Sequence, residues 1–195
     1  MEGLIPVTSR MYSRVPLERL GVLIGEDGKV KRELELRTRT RISIDSRDGT
    51  VIIEPEHPDV PPINLLKAKD FIAAISYGFN PERAFRLLDH DQTLIVIDLK
   101  EYLGDKPNHI QRVKGRIIGE KGKTRRVIEE STGVYMSIHD HYIAIIGDYE
   151  QANVAREAVE MLIRGRQHST VYRFLEREMR KIKRAKAFDL WERTF

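Results

Sequence analysis

The chain repeats itself. Shifting it by 94 residues lays GVLIGEDGKVKRELELRTRTRISI (21–44) on GRIIGEKGKTRRVIEESTGVYMSI (115–138), with 11 of 24 positions identical and no gap. A gapless internal match of this length means that one structural module occurs twice, which limits what the 195 residues can fold into. Gly25/Gly119, Gly28/Gly122, Lys29/Lys123 and Arg32/Arg126 are among the shared positions.

Both copies read as the same run of elements. In the second, TLIVIDL (93–99) is rich in branched residues and predicts a strand. Asn108 is placed to cap a helix, with Gln111 three residues on, and Ile110, Val113 and Ile117 share a helical face. The glycine pair interrupts, and a second helix carrying Val127 and Ile128 inward ends at Gly133. Two short strands (134–139 and 142–147) follow, and Asp148 caps a helix striped with Ala155, Ala158, Val159, Leu162 and Ile163. In the first copy, strands are expected at 11–15, 41–45 and 50–54. Leu17, Leu20 and Ile24 mark its first helix, and a helix after Pro61 and Pro62 carries Leu65, Ala68, Ile72 and Ile75. A bridging helix is expected over 81–89. A basic amphipathic helix over 169–188 has Val171, Leu175, Met179 and Ile182 on its inner side. The fold class is therefore α+β, with three strands in each copy; the resemblance given below implies that each set forms one three-stranded sheet with helices on one face.

Composition removes whole classes of chemistry. There are no cysteines, which excludes disulfides, thiolate nucleophiles and cysteine zinc sites. No apolar run is long enough to span a bilayer, and the N-terminal stretch lacks the apolar core of a signal peptide, so a cytoplasmic location is expected. His139-Asp140-His141 sits where two strands turn and has no further ligand nearby in sequence. Gly122-Lys123-Thr124 resembles the end of a phosphate-binding P-loop, but the required glycine is Ile117 here. No catalytic residue, metal ligand or cofactor is implied.

The net charge is only +4, yet its distribution is uneven. Residues 109–126 hold seven Lys/Arg and a single acid, and residues 164–195 hold ten Lys/Arg against four acids. A glycine turn between two helices exposes the N-terminus of the second, where free N–H groups and the dipole favour an anion. Lys121, Lys123, Arg125 and Arg126 surround that point, Arg112, Lys114 and Arg116 lie on the helix before it, and Ile118, Val127 and Ile138 can form an apolar floor for bases.

Ile118-Gly119-Glu120-Lys121-Gly122-Lys123, set between two helices and followed by strand, strand, helix, resembles a type I KH domain, whose GxxG loop clamps the backbone of single-stranded RNA. The resemblance implies two tandem KH modules: 8–90, a divergent first module with the bridging helix; 91–166, the RNA-binding module; and 167–195, the basic C-terminal helix. It assigns RNA contact to Arg112, Lys114, Arg116, Ile118, Gly119, Glu120, Lys121, Gly122, Lys123, Arg125, Arg126 and Ile138. The first loop, Gly25-Glu26-Asp27-Gly28, puts two carboxylates where phosphate would approach. Gly25, Gly28, Lys29, Lys31 and Arg32 are therefore assigned only weak RNA or partner contact. Replacing both Gly119 and Gly122 by Asp is expected to abolish RNA binding and leave the fold intact.

The tandem pair, the stretch 114–133 and the tail GRQHSTVYRFLERE (165–178) are similar to archaeal members of a ribosome-assembly family, counterparts of the eukaryotic partner-of-Nob factor. That resemblance implies a non-enzymatic role in small ribosomal subunit assembly. It implies binding near the 3′ end of small-subunit rRNA, on the pre-ribosomal subunit, with the rRNA-processing endonuclease of the Nob family as partner. The rivals are an exosome-like RNA-decay adaptor, a protein-interaction scaffold and a nucleotide hydrolase.

Overall fold

The computed structural model describes residues 10–192, with side chains through 188. The stretch 1–9, which includes most of the N-terminal segment considered above, and the last three residues of the expected C-terminal segment lie outside the described residues. The chain divides into two compact units between His90 and Asp91.

In the first unit, β1 (Met11–Arg14) leads into α1 (Leu17–Ile24), a tight turn, and α2 (Lys29–Thr38). Strands β2 (Thr40–Ile44) and β3 (Thr50–Pro55) follow, then α3 (Pro62–Ser76) and the short α4 (Pro81–Ala84). The sheet is antiparallel with order β1-β3-β2. In the second unit the order is β4 (Gln92–Asp98), α5 (Leu99–Leu103), α6 (Pro107–Ile118), the same tight turn, α7 (Lys123–Thr132), β5 (Tyr135–His139), β6 (Tyr142–Asp148), α8 (Tyr149–Ile163) and α9 (His168–Glu192). Its sheet has the matching order β4-β6-β5, again antiparallel.

The 94-residue correspondence extends to individual hydrogen bonds. The Thr38 hydroxyl donates to the Leu34 carbonyl at 2.7 Å, and that of Thr132 to Ile128 at 2.7 Å. The Ile42 N–H donates to Glu35 Oε1 at 2.7 Å, and the Met136 N–H to Glu129 Oε1 at 2.8 Å. In each case a helical glutamate accepts an amide within the following strand, which fixes the helix against the sheet edge.

The core of the second unit is built by the expected stripes. Ile110, Val113, Ile117 and Ile128 meet Ile97, Met136, Ile143 and Ile145 from the sheet, and Ala155, Ala158, Val159 and Leu162 close the other side. Val171 and Leu175 of α9 join the same cluster, so the C-terminal helix is part of this unit's packing against α7 and α8. Asp148 caps α8 by accepting from the Glu150 N–H.

Several local expectations are corrected. Asn108 does not cap α6: Pro107 occupies its first position, where a missing N–H costs nothing, and Lys106 precedes it with no side-chain cap. The strand expected through Leu99 stops at Asp98, whose carboxylate accepts from the Lys100 N–H and starts α5. In α1 the inward residues are Leu20 and Leu23; Leu17 is exposed and Ile24 only partly buried. Val127 is likewise half-buried, and Ile182 is only partly covered. The bridging segment is one α-turn followed by a 3-10 turn over Phe85–Leu88.

Candidate nucleic-acid interface

The loop after α6 has a backbone that glycine alone can supply at one position. Gly119 sits at φ 75°, ψ 173°, a region essentially closed to residues with a Cβ. A Cβ there would also meet the Thr124 hydroxyl and stand 2.7 Å from the Thr124 backbone nitrogen. Gly122, at φ 76°, ψ 14°, is left-handed and forms the N-cap of α7. Space around it is open, with no atom within 4 Å of where a Cβ would stand. It lacks a side chain to cap the helix, so the positive end of α7 is presented through a bare turn. Between them Lys121 holds φ 49°, ψ 31°, an uncommon conformation for a lysine.

The cations assigned to this surface divide into two groups. Lys121, Lys123, Arg126 and Arg112 are exposed, and Arg126 reaches back over the turn to the Lys121 carbonyl at 3.5 Å. The other three are committed within the unit. Lys114 donates to the Asp140 carbonyl at 2.6 Å, Arg125 to the Met136 carbonyl at 2.6 Å, and Arg116 to the Arg166 carbonyl. Arg125 also pairs with Glu129 at 3.4 Å. Their positive field remains, but their donors hold the strand, the strand turn and the C-terminal connection in place. Glu120 is exposed at the rim. Ile118, Val127 and Ile138 stay partly exposed, while their neighbours Ile117 and Ile128 are fully buried.

The first unit repeats the loop geometry almost angle for angle: Gly25 at φ 73°, ψ 175°, Asp27 at φ 53°, ψ 26°, and Gly28 at φ 74°, ψ 17°. Its surface chemistry differs. Lys29 pairs with Glu26 at 3.6 Å, and Asp27 stands where the second loop has Lys121. The Lys31–Glu35 pair at 3.7 Å and the Arg32 bond to the Asp27 carbonyl at 2.6 Å are repeated in the second unit by Arg125–Glu129 and by Arg126 on Lys121. Where the second unit has Val127, the first has Glu33, paired with Arg37 at 2.5 Å. The 94-residue shift alone carries this last difference, since it places Glu33 on Val127.

Two residues of α9 from the 165–178 tail, to which no site role was assigned, support the second loop. Tyr172 Oη lies 3.3 Å from the hydroxyl of Thr124, which is itself buried against Gly119. His168 Nε2 lies 3.0 Å from the carbonyl of Arg116, in the last turn of α6. At the other candidate, Asp140 makes the left-handed turn between β5 and β6, and His141 pairs with Asp140 at 2.7 Å. Among the described residues no group of three or more metal-ligating side chains converges, and no helix is long and apolar enough to cross a membrane.

A glycine loop between two helices, followed by two antiparallel strands and a helix on one face of a three-stranded sheet, defines a KH domain in the second unit. The model of a eukaryotic type KH-domain (KH-domain type I) family matches residues 93–180. A KH domain-containing protein of Methanocaldococcus jannaschii is 45% identical over 180 residues, covering 92% of this chain and 78% of its own. The pre-rRNA-processing protein PNO1 of Candida glabrata is 34% identical over 164 residues; these span 81% of this chain and 61% of that longer relative. Among solved structures, a protein of unknown function from Aeropyrum pernix superposes with a TM-score of 0.94 at 53% identity, covering 96% of this chain and 99% of its own. Dim2p from Pyrococcus horikoshii, in a complex with a/eIF2alpha and rRNA, superposes with a TM-score of 0.83 at 42% identity, over 90% of this chain and 96% of its own. This chain belongs to the PNO1/Dim2 family of KH-domain proteins.

Proposed function

We propose that this protein is a non-enzymatic, cytoplasmic RNA-binding factor of small ribosomal subunit assembly, and that its second unit holds a single-stranded segment near the 3′ end of small-subunit rRNA. The observation that carries this is the bare glycine turn at the start of α7, flanked by exposed Lys121, Lys123 and Arg126 and by the half-exposed Ile118, Val127 and Ile138. Phosphates approach the turn, and bases rest on the apolar residues. Glu120 stands at the rim of the same seat. Arg112 adds a direct cation, whereas Lys114, Arg116 and Arg125 contribute field and hold the seat's shape. The similarity to a relative solved with rRNA, and to pre-rRNA-processing relatives, supports the choice of partner. Work on the pre-ribosomal subunit beside a Nob-family endonuclease belongs to the same proposal.

The first unit, over 8–90, is read as a divergent KH module that braces or docks rather than grips RNA. Its loop carries Asp27 where the second has Lys121, Lys29 is paired with Glu26, and Glu33 replaces the apolar floor residue. Gly25, Gly28, Lys29, Lys31 and Arg32 thus keep at most a weak contact. Residues 91–166 are read as the RNA-binding module, and 167–195 as its basic C-terminal segment.

Titration of a short single-stranded RNA at several salt concentrations tests the assignment. Affinity falls as salt rises, because phosphate contacts release counterions. Gly122→Asp lowers affinity at least tenfold, while Gly28→Asp changes it less than twofold. Equal losses in both variants, or none in either, contradict the assignment.

A further inference from the structure

One segment of α9 holds most of the chain's excess charge. Residues 173–186 contain seven Lys/Arg against two acids, Glu176 and Glu178; since the whole chain carries only +4, the remainder is close to neutral. The buried side of the helix is Val171, Phe174, Leu175 and Met179. The opposite side presents Arg173, Arg177, Arg180 and Arg184, spaced four, three and four residues apart. At a rise of about 1.5 Å per residue this is one arginine per turn along a line of roughly 16 Å.

With Glu176 and Lys181, these four line an open trough of about 410 Å³. The acids neutralise only part of it. Glu178 accepts from Arg177 at 2.7 Å and from Lys181 at 3.1 Å, contacts that hold its carboxyl below the usual range. Arg180 and Arg184 have no ion pair among the described residues, and Glu176 is the one acid in the lining. The line starts beside the loop of the second unit, because Tyr172, one residue before Arg173, touches Thr124.

We propose that this arginine line grips the phosphate backbone of a base-paired RNA stem adjoining the single strand held at Gly119–Gly122. The proposal rests on the RNA-binding reading above. The lining contains no aromatic residue on which an unpaired base could stack, whereas single-strand sites combine charge with such platforms. Paired RNA is recognised through its regular backbone, and the planar guanidinium fork suits phosphate oxygens. A straight row of guanidiniums whose one aromatic neighbour, Phe174 beneath Arg177, is buried fits that partner.

The test uses the full chain and three fluorescent RNAs: an eight-nucleotide strand of randomised sequence, the same strand extended by a ten-base-pair hairpin, and the hairpin alone. Binding of the tailed hairpin is at least tenfold tighter than of the strand. The Arg180→Glu, Arg184→Glu double variant loses at least tenfold on the tailed hairpin and less than twofold on the strand, with a shallower salt dependence. The milder Arg180→Gln, Arg184→Gln pair shows the same ordering if charge reversal disturbs the helix, and thermal melting of both confirms folding. Equal wild-type affinity for strand and tailed hairpin overturns the stem site, as does an equal loss on both. Failure of the wild type to bind the strand at all overturns the RNA reading beneath it.

Discussion

The hydroxyl of Tyr172 on α9 lies 3.3 Å from that of Thr124 on α7, and Thr124 is the residue against which Gly119 closes. The C-terminal helix is thereby tied to the turn that presents the helix end. Removing the contact by Tyr172→Phe leaves the ring in place and should cost about 1 kcal/mol of stability. Affinity for single-stranded RNA should fall a few-fold, since the loop is held less firmly. Thermal melting and RNA titration of the same preparation check both effects; a change in stability without one in affinity would show that the tie is only structural.

The two loop glycines are not equivalent. Gly119→Ala meets both a forbidden backbone and the Thr124 backbone nitrogen, and should destabilise the second unit by about 3 kcal/mol or more. Gly122→Ala adds a methyl to open space in a left-handed conformation and should cost about 1 kcal/mol. Denaturant unfolding of the two single variants measures the gap. The same strain at Gly119 argues against the expectation that replacing both glycines by Asp spares the fold, which makes Gly122→Asp alone the clean probe of binding.

Lys121 occupies a left-handed position where Asp27 stands in the first unit. Asn and Asp adopt that conformation more readily than Lys. Lys121→Asn should therefore raise stability by about 0.5 kcal/mol or leave it unchanged, while RNA affinity drops several-fold through loss of the charge. Opposite signs in melting and binding are the expected signature.

Arg39 and Gly133 close the equivalent helices α2 and α7 in the same left-handed conformation, at φ 53° and 74°. Arg39 pairs with the exposed Asp59 at 2.8 Å, a contact of small net value. Arg39→Gly should thus stabilise the first unit by up to about 1 kcal/mol, read as a rise in denaturation midpoint. A fall would mean that the ion pair outweighs the backbone strain.

Much of this architecture was legible along the chain because its causes are local. The spacing of Ile110, Val113 and Ile117 set a helix face, Asp148 capped α8, and Gly133 ended α7. The glycine pairs marked positive-φ turns, and the 94-residue match carried the reading from one unit to the other. Where competing local signals met, the choice was less visible. Pro107 displaced Asn108 as the start of α6, and the Asp98 cap turned the end of an apolar run into α5.

The sequence by itself determined the repeat, the element order and the position of the glycine turn, since each depends on neighbouring residues and their backbone preferences. Only the tertiary structure decided which cations of the basic run remain available. Arg116 and Lys114 are held by carbonyls 50 and 26 residues away, and Arg125 by one on the next strand. It also decided that α9 supports the loop, because Tyr172 and Thr124 lie 48 residues apart and meet only when both helices pack on one core. Such contacts depend on where distant side chains are brought by packing, and no pattern in the intervening chain encodes that distance.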